Sequence, residues 1–103
     1  MNWYAVENAD AIASPALLIY PDRLQENIRQ TVRLATDPAR LWPHVKTHKM
    51  RAVTDKLLAA GIRSFKCATL KEARMLAEAG TSLGEPISVL VAYALVGPAV
   101  LQL

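Results

Sequence analysis

The sequence predicts an α/β protein whose strands run parallel. Three observations carry this expectation. Short apolar runs, such as Ala16–Tyr20 and Ile87–Ala92, alternate with longer stretches where apolar residues recur at helical spacing. Helix punctuation falls between the runs: Pro21-Asp22, the box Thr69-Leu70-Lys71-Glu72, and the glycines Gly61 and Gly80. The resulting order is βα-βα-βα-β and the start of a further helix, which implies right-handed crossovers between parallel strands.

Ala16–Tyr20 is the first predicted strand, after Ser14-Pro15. A helix then starts at Pro21-Asp22, since proline suits a first helical position and aspartate can cap one. Leu24, Ile28, Val32 and Ala35 form its apolar stripe, with Arg23, Glu26, Arg29 and Arg33 on other faces. Asp37-Pro38 ends it. Leu41–Val45 is the second strand, and Pro43 confines it to an edge or a strand start. A helix over Lys49–Ala60 follows, with Val53, Leu57 and Ala60 on one stripe and Gly61 as its stop. Ser64–Ala68 is the third strand. The Thr69–Glu72 box opens a helix with Leu70, Ala73, Leu76 and Ala77 inward and Gly80 at its close. Ile87–Ala92 is apolar almost throughout and reads as a strand buried on both faces. Gly97-Pro98 opens another helix.

Composition excludes several classes. The chain has 103 residues, 52% hydrophobic and 20% charged, which is globular rather than disordered. Its net charge of +3 is too mild to argue for nucleic acid but favours small anionic ligands. A single cysteine, Cys67, forbids an intrachain disulfide and a four-cysteine zinc site. Met1–Asp10 holds Glu7 and Asp10 without an apolar run behind basic residues, so no signal peptide is expected and the cytoplasm is the default location. The run Ile87–Val96 is too short to span a bilayer. Four strands do not close an eight-stranded βα barrel, which takes about 250 residues. The 103 residues are therefore expected to be an N-terminal piece of a larger architecture or a truncated product.

The chemistry concentrates in Leu41–Met50, which reads Leu-Trp-Pro-His-Val-Lys-Thr-His-Lys-Met. It sets Lys46 at the end of a strand, where active sites of α/β folds lie. Desolvation and neighbouring cations both lower a lysine's pKa and free its amine to attack a carbonyl. His44 and His48 flank Lys46 at two residues on either side; if the strand extended that far, all three would face one pocket. The bland alternative for Lys46, His48, Lys49 and Arg51 is a solvated basic turn. The histidine pair is a poor metal site, because Pro43 disfavours a helix and no carboxylate lies close in sequence. Cys67 reads as a small buried residue rather than a nucleophile, and Asp55 and Glu72 as groups on solvated helix faces.

Four segments, in order, resemble the D-threonine aldolase and D-serine dehydratase family. They are Ser14–Ile19 with Asp22-Arg23-Leu24; Pro43–Lys49; Lys66–Thr69 with Glu72-Ala73 and Ala77–Gly80; and Leu90–Tyr93 with Leu95–Pro98. The second is the most specific. Two departures stand out: Ala94 where that family usually has proline, and a longer turn over Thr81–Pro86.

The resemblance implies the first βα units of a pyridoxal-phosphate-binding (β/α)8 TIM-type barrel of the alanine-racemase-like kind. It implies residues 14–103 as the N-terminal part of that barrel, incomplete in this chain, behind an extension over residues 1–13. Lys46 would form the Schiff base with pyridoxal phosphate, and His44, Thr47 and His48 would contact the cofactor or orient the lysine. The reaction implied is a lyase step, aldolase or dehydratase, on a 3-hydroxy D-amino acid, with a divalent metal whose ligands lie outside this chain. The full-length form is expected to be a homodimer, and the isolated chain to be inactive. Two other readings stay open: a non-catalytic carrier of pyridoxal phosphate, and a degenerate fragment that acts only by association.

Overall fold

The structure, a computed structural model, describes residues 2–102. Met1 and Leu103, at the outer ends of the two expected segments, lie outside the described residues. Among the described residues three α-helices and two strands make the framework: α1 (Pro21–Ala35), α2 (Arg51–Ala59), β1 (Ser64–Cys67), α3 (Leu70–Leu83) and β2 (Ser88–Val91). Short 3-10 turns fall at Ala9–Ala11, Pro38–Arg40, Val45–Thr47 and Gly97–Gln102. The last is what forms at the helix expected from Gly97-Pro98. Among the described residues no helix is long and apolar enough to cross a membrane.

β1 is the organising strand. It pairs in parallel with β2, Phe65 opposite Val89 and Cys67 opposite Val91. On its other side a single parallel bridge joins Lys66 to His44, and the Lys66 N–H donates to the Pro43 carbonyl at 2.9 Å. Alternation along β1 turns Phe65 and Cys67 inward. There they meet Leu58 and Ile62 from the α2 side, Leu76 and Ala79 from α3, and Val45. Each of these is at least 97% buried. The helices thus cover one face of the sheet, as parallel crossovers require.

Two expected strands do not form, for nonlocal reasons. Ala16–Tyr20 forms no strand and has no strand partner among the described residues, and Leu17 and Leu18 are 60% and 46% exposed. What holds this region is aromatic: Trp3 meets Tyr20 edge-on at 5.3 Å, and the Arg23 guanidinium lies 3.8 Å over the Trp3 ring. α1 then begins with Pro21 in its first turn and Tyr20 as its cap, so Asp22 complements the helix dipole rather than capping. Leu41–Val45 contributes only the His44 bridge. Pro43 has no N–H to give, and the chain turns into a 3-10 helix at Val45.

The helix expected from Lys49 starts at Arg51, because Lys49 is left-handed with φ of 56°. α3 runs past the expected stop at Gly80 to Leu83. Gly80 is a close approach, since a Cβ there would lie 3.1 Å from Ile87 Cγ1. The true stop is Gly84, left-handed at φ 77°, whose N–H bonds back to Gly80 and Thr81 carbonyls. β2 is not buried on both faces: Val89 and Leu90 are 36% and 49% exposed. The chain is correspondingly open, with a radius of gyration of 15.8 Å, against about 13 Å for a compact domain of this length.

Gly84→Ala should destabilise the chain by about 1 kcal/mol, because open space surrounds the position and only the backbone objects. Gly84→Asn should lose less. Thermal unfolding followed by circular dichroism measures both; equal stability of Gly84→Ala and the parent would contradict a left-handed cap.

Candidate functional site

The segment that carries Lys46 is a tight, locally bonded turn. Val45, fully buried, pins it to the core. His44 caps the turn: its Nδ1 accepts the Lys46 backbone N–H at 3.2 Å, a role more often filled by serine or aspartate. The Thr47 hydroxyl donates to the His44 carbonyl at 3.3 Å. His48 Nδ1 accepts the Met50 N–H at 2.9 Å, just before α2. Both rings use Nδ1 as acceptor, so in each neutral ring the proton sits on Nε2.

This geometry corrects two expectations. Strand alternation does not reach Lys46, so His44, Lys46 and His48 do not line one pocket. A cavity of about 430 Å³ beside the turn is lined by Lys49, Arg51, Thr69, Lys71, Glu72 and Met75, without any of those three. Lys46 is exposed rather than desolvated, and its Nζ has no hydrogen bond or ion pair among the described residues. It is a free primary amine on a stiff turn, at the C-terminal end of the strands. His48 is partly buried; burial lowers its pKa, and the Glu72 charge pushes it back up.

Glu72 is the residue that reasoning from sequence placed wrongly. It is only 3% exposed. Its Oε1 accepts the Ala68 N–H at 2.9 Å, and its Oε2 takes the Thr69 hydroxyl at 3.0 Å and the Lys49 ammonium at 2.6 Å. The Glu72 N–H in turn donates to Thr69 Oγ1 at 3.1 Å. Burial pushes the carboxyl's pKa up, but the Ala68 N–H, Lys49 and Thr69 outweigh it and hold the group at about 2, from an ordinary 4.5. The capping-box spacing was the available signal: the box turns its glutamate back toward the chain that enters the helix. Cys67 is buried, and burial, then the Glu72 charge, raises its pKa, which suits a packing residue rather than a nucleophile. Asp55 stays exposed, paired with Arg51 at 2.9 Å.

The site fits an aldehyde cofactor in one respect that matters: it presents an unengaged amine on a backbone fixed by its own hydrogen bonds. Among the described residues no group of three histidine, cysteine, aspartate or glutamate side chains is placed to hold a metal ion.

The depressed Glu72 pKa has a defined consequence. Its stabilisation is present in full above about pH 4.5 and is lost as pH falls toward about 2. Glu26, held near 2 by its hydrogen bonds to Arg29 and Gln30, titrates in the same window. Glu72→Gln should therefore flatten, though not abolish, the fall in unfolding free energy between those limits. Urea titrations at stepped pH measure it; an unchanged slope would mean that Glu72 is not the responsible carboxyl.

The alanine racemase N-terminal domain family matches residues 19–99. Over 70 residues the chain is 43% identical to the D-threo-3-hydroxyaspartate dehydratase of Delftia sp. (strain HT23). That match covers 67% of this chain and 18% of the relative, so the chain spans less than two thirds of that protein's length. No solved structure matches. The segment that holds Lys46 and the βα units around it lie inside the matched residues, and the chain belongs to the alanine-racemase-like, fold-type III pyridoxal-phosphate family, whose N-terminal domain it matches.

Proposed function

We propose that this chain is the cofactor-lysine segment of a pyridoxal-phosphate-dependent lyase acting on 3-hydroxy D-amino acids, with Lys46 as the lysine. The carrying observation is the free Lys46 amine, held on a capped turn at the C-terminal end of parallel strands. The similarity to a D-threo-3-hydroxyaspartate dehydratase supports the substrate class. On this reading α2, β1, α3 and β2 are early βα units of a (β/α)8 barrel, and the chain works in the cytoplasm within a homodimer.

Bound at Lys46, pyridoxal phosphate supplies an electron sink for the bond that breaks at Cα. The chain's own residues prepare its attachment. Lys46 Nζ would hold the cofactor through its aldehyde carbon. His44 Nδ1 and the Thr47 hydroxyl keep the Lys46 backbone from swinging, so the amine is presented from a fixed Cα. His48, tied to the Met50 N–H, fixes the exit of the turn. Lys46 Nζ is also our candidate for the group that would move the Cα proton of the substrate. The metal that the family resemblance implies would take ligands from outside this chain.

Two measurements test this reading. Incubation with pyridoxal phosphate, borohydride reduction and peptide mass mapping should find the label on Lys46, and Lys46→Ala should lose it; a label retained in that variant would sink the assignment. The full-length gene product, given a 3-hydroxy D-amino acid, should release a 2-oxo acid and ammonia if it is a dehydratase, or glycine and an aldehyde if it is an aldolase. Neither product pair would leave the non-catalytic carrier reading in its place.

A further inference from the structure

We propose that Glu72 decides which of two neighbouring lysines meets the cofactor aldehyde, by engaging the Lys49 ammonium and leaving Lys46 as the free amine. This rests on the reading of Lys46 as the cofactor lysine, and concerns how that lysine is chosen.

The problem is real in this turn. Lys46 and Lys49 lie three positions apart, Lys46 within the short 3-10 helix Val45–Thr47 and Lys49 two residues past its end, and both are exposed, Lys49 by 60%. As primary amines on flexible stems they have the same intrinsic reactivity, so exposure does not choose between them. Their partners differ. Lys49 Nζ sits 2.6 Å from Glu72 Oε2, whereas Lys46 Nζ has no partner among the described residues. Attack on an aldehyde needs a nitrogen lone pair. The Lys49 nitrogen is turned toward a carboxylate and held there, whereas the Lys46 nitrogen is not engaged.

Glu72 suits this task better than a surface carboxylate would. Exposed ion pairs are weak because both side chains must be ordered to make them. Here one partner is ordered beforehand: Glu72 is 3% exposed, and its oxygens are fixed by the Ala68 N–H and the Thr69 hydroxyl. A charge-assisted bond to such a fixed acceptor is the stronger kind. The backbone follows the same demand. Lys49 holds φ of 56°, uncommon for a residue with a Cβ, at the position where its side chain reaches across to α3. Among the described residues this pair is the only polar side-chain contact from residues 45–50 to another secondary-structure element beyond α2. Nothing in the proposed reaction uses Glu72 directly.

Competitive labelling tests it, with pyridoxal phosphate itself as the probe. The amine and aldehyde condense with loss of water. Borohydride then delivers hydride to the imine carbon, and solvent protonates the nitrogen, leaving a stable secondary amine for peptide mapping. The parent should carry label on Lys46 in clear excess over Lys49. Glu72→Gln, which keeps the size and the bond from Ala68, should lower the Lys46-to-Lys49 ratio about tenfold. Glu72→Gln with Lys49→Arg should return the label to Lys46, because a guanidinium does not form the imine; label on Lys46 that stays low would overturn the proposal. A second measurement needs no variant: trace acetylation of the parent with acetic anhydride should modify Lys49 about tenfold more slowly than Lys46. Equal acetylation rates, or an unchanged ratio in Glu72→Gln on a Lys46-specific parent, would sink this proposal alone. A parent with no preference for Lys46 over its other lysines would instead remove the cofactor-lysine reading, and this proposal with it.

Discussion

A carboxylate that leaves water must find hydrogen bonds at once, and Glu72 finds them on three segments of the chain. The Ala68 amide belongs to the exit of β1, the Thr69 hydroxyl to the cap of α3, and the Lys49 ammonium to the turn after Lys46. Removing any one of these would leave a buried oxygen under-satisfied, which costs more than the bond itself contributes. The three segments are therefore held in mutual register by one side chain. Phe65 and Cys67 can only point into the core if β1 ends where Ala68 is held, and α3 can only lay Leu76 and Ala79 over them from the same starting point. The lysine turn is positioned by the same carboxylate and by the buried methyls of Val45.

Much of the second half of the chain is legible in its amino-acid order alone. Helical spacing finds α2 and α3, the apolar runs find β1 and β2, and alternation finds their parallel pairing. These signals are local, so they survive in sequence. What fails is nonlocal. A strand is a relation between two segments, and Ala16–Tyr20 has an apolar run but no partner among the described residues that would make it one. The apolar face of β2 announces burial, but burial depends on a neighbour that no run of residues encodes. Gly80 shows a subtler ambiguity: a glycine late in a helix signals either a stop or a close approach, and only the position of Ile87 distinguishes them.

The site is half legible for the same reason. Lys46 and its flanking histidines stand out as chemistry-bearing types, and their spacing suggests a shared face. A 3-10 turn breaks that spacing, so the histidines become backbone caps instead of pocket walls. Glu72 is visible as part of a capping box, a local motif, while its bond to Lys49 spans 23 residues and leaves no local trace. Charge in a helix's first turn is ordinarily a solvated feature. Here the crossover brings the lysine turn over it and changes its meaning.

The uncovered flank of β2 has a thermodynamic consequence of its own. Val89 and Leu90 stand beside an open strand edge, facing water. Any body that seats itself there removes apolar area at about 25 cal/mol per Å² and binds the folded chain in preference to the unfolded one. By mass action, folding is then coupled to association. A melting temperature recorded for this polypeptide becomes a function of how much of it, and of what else, is in the tube, and two dilutions of one sample need not agree.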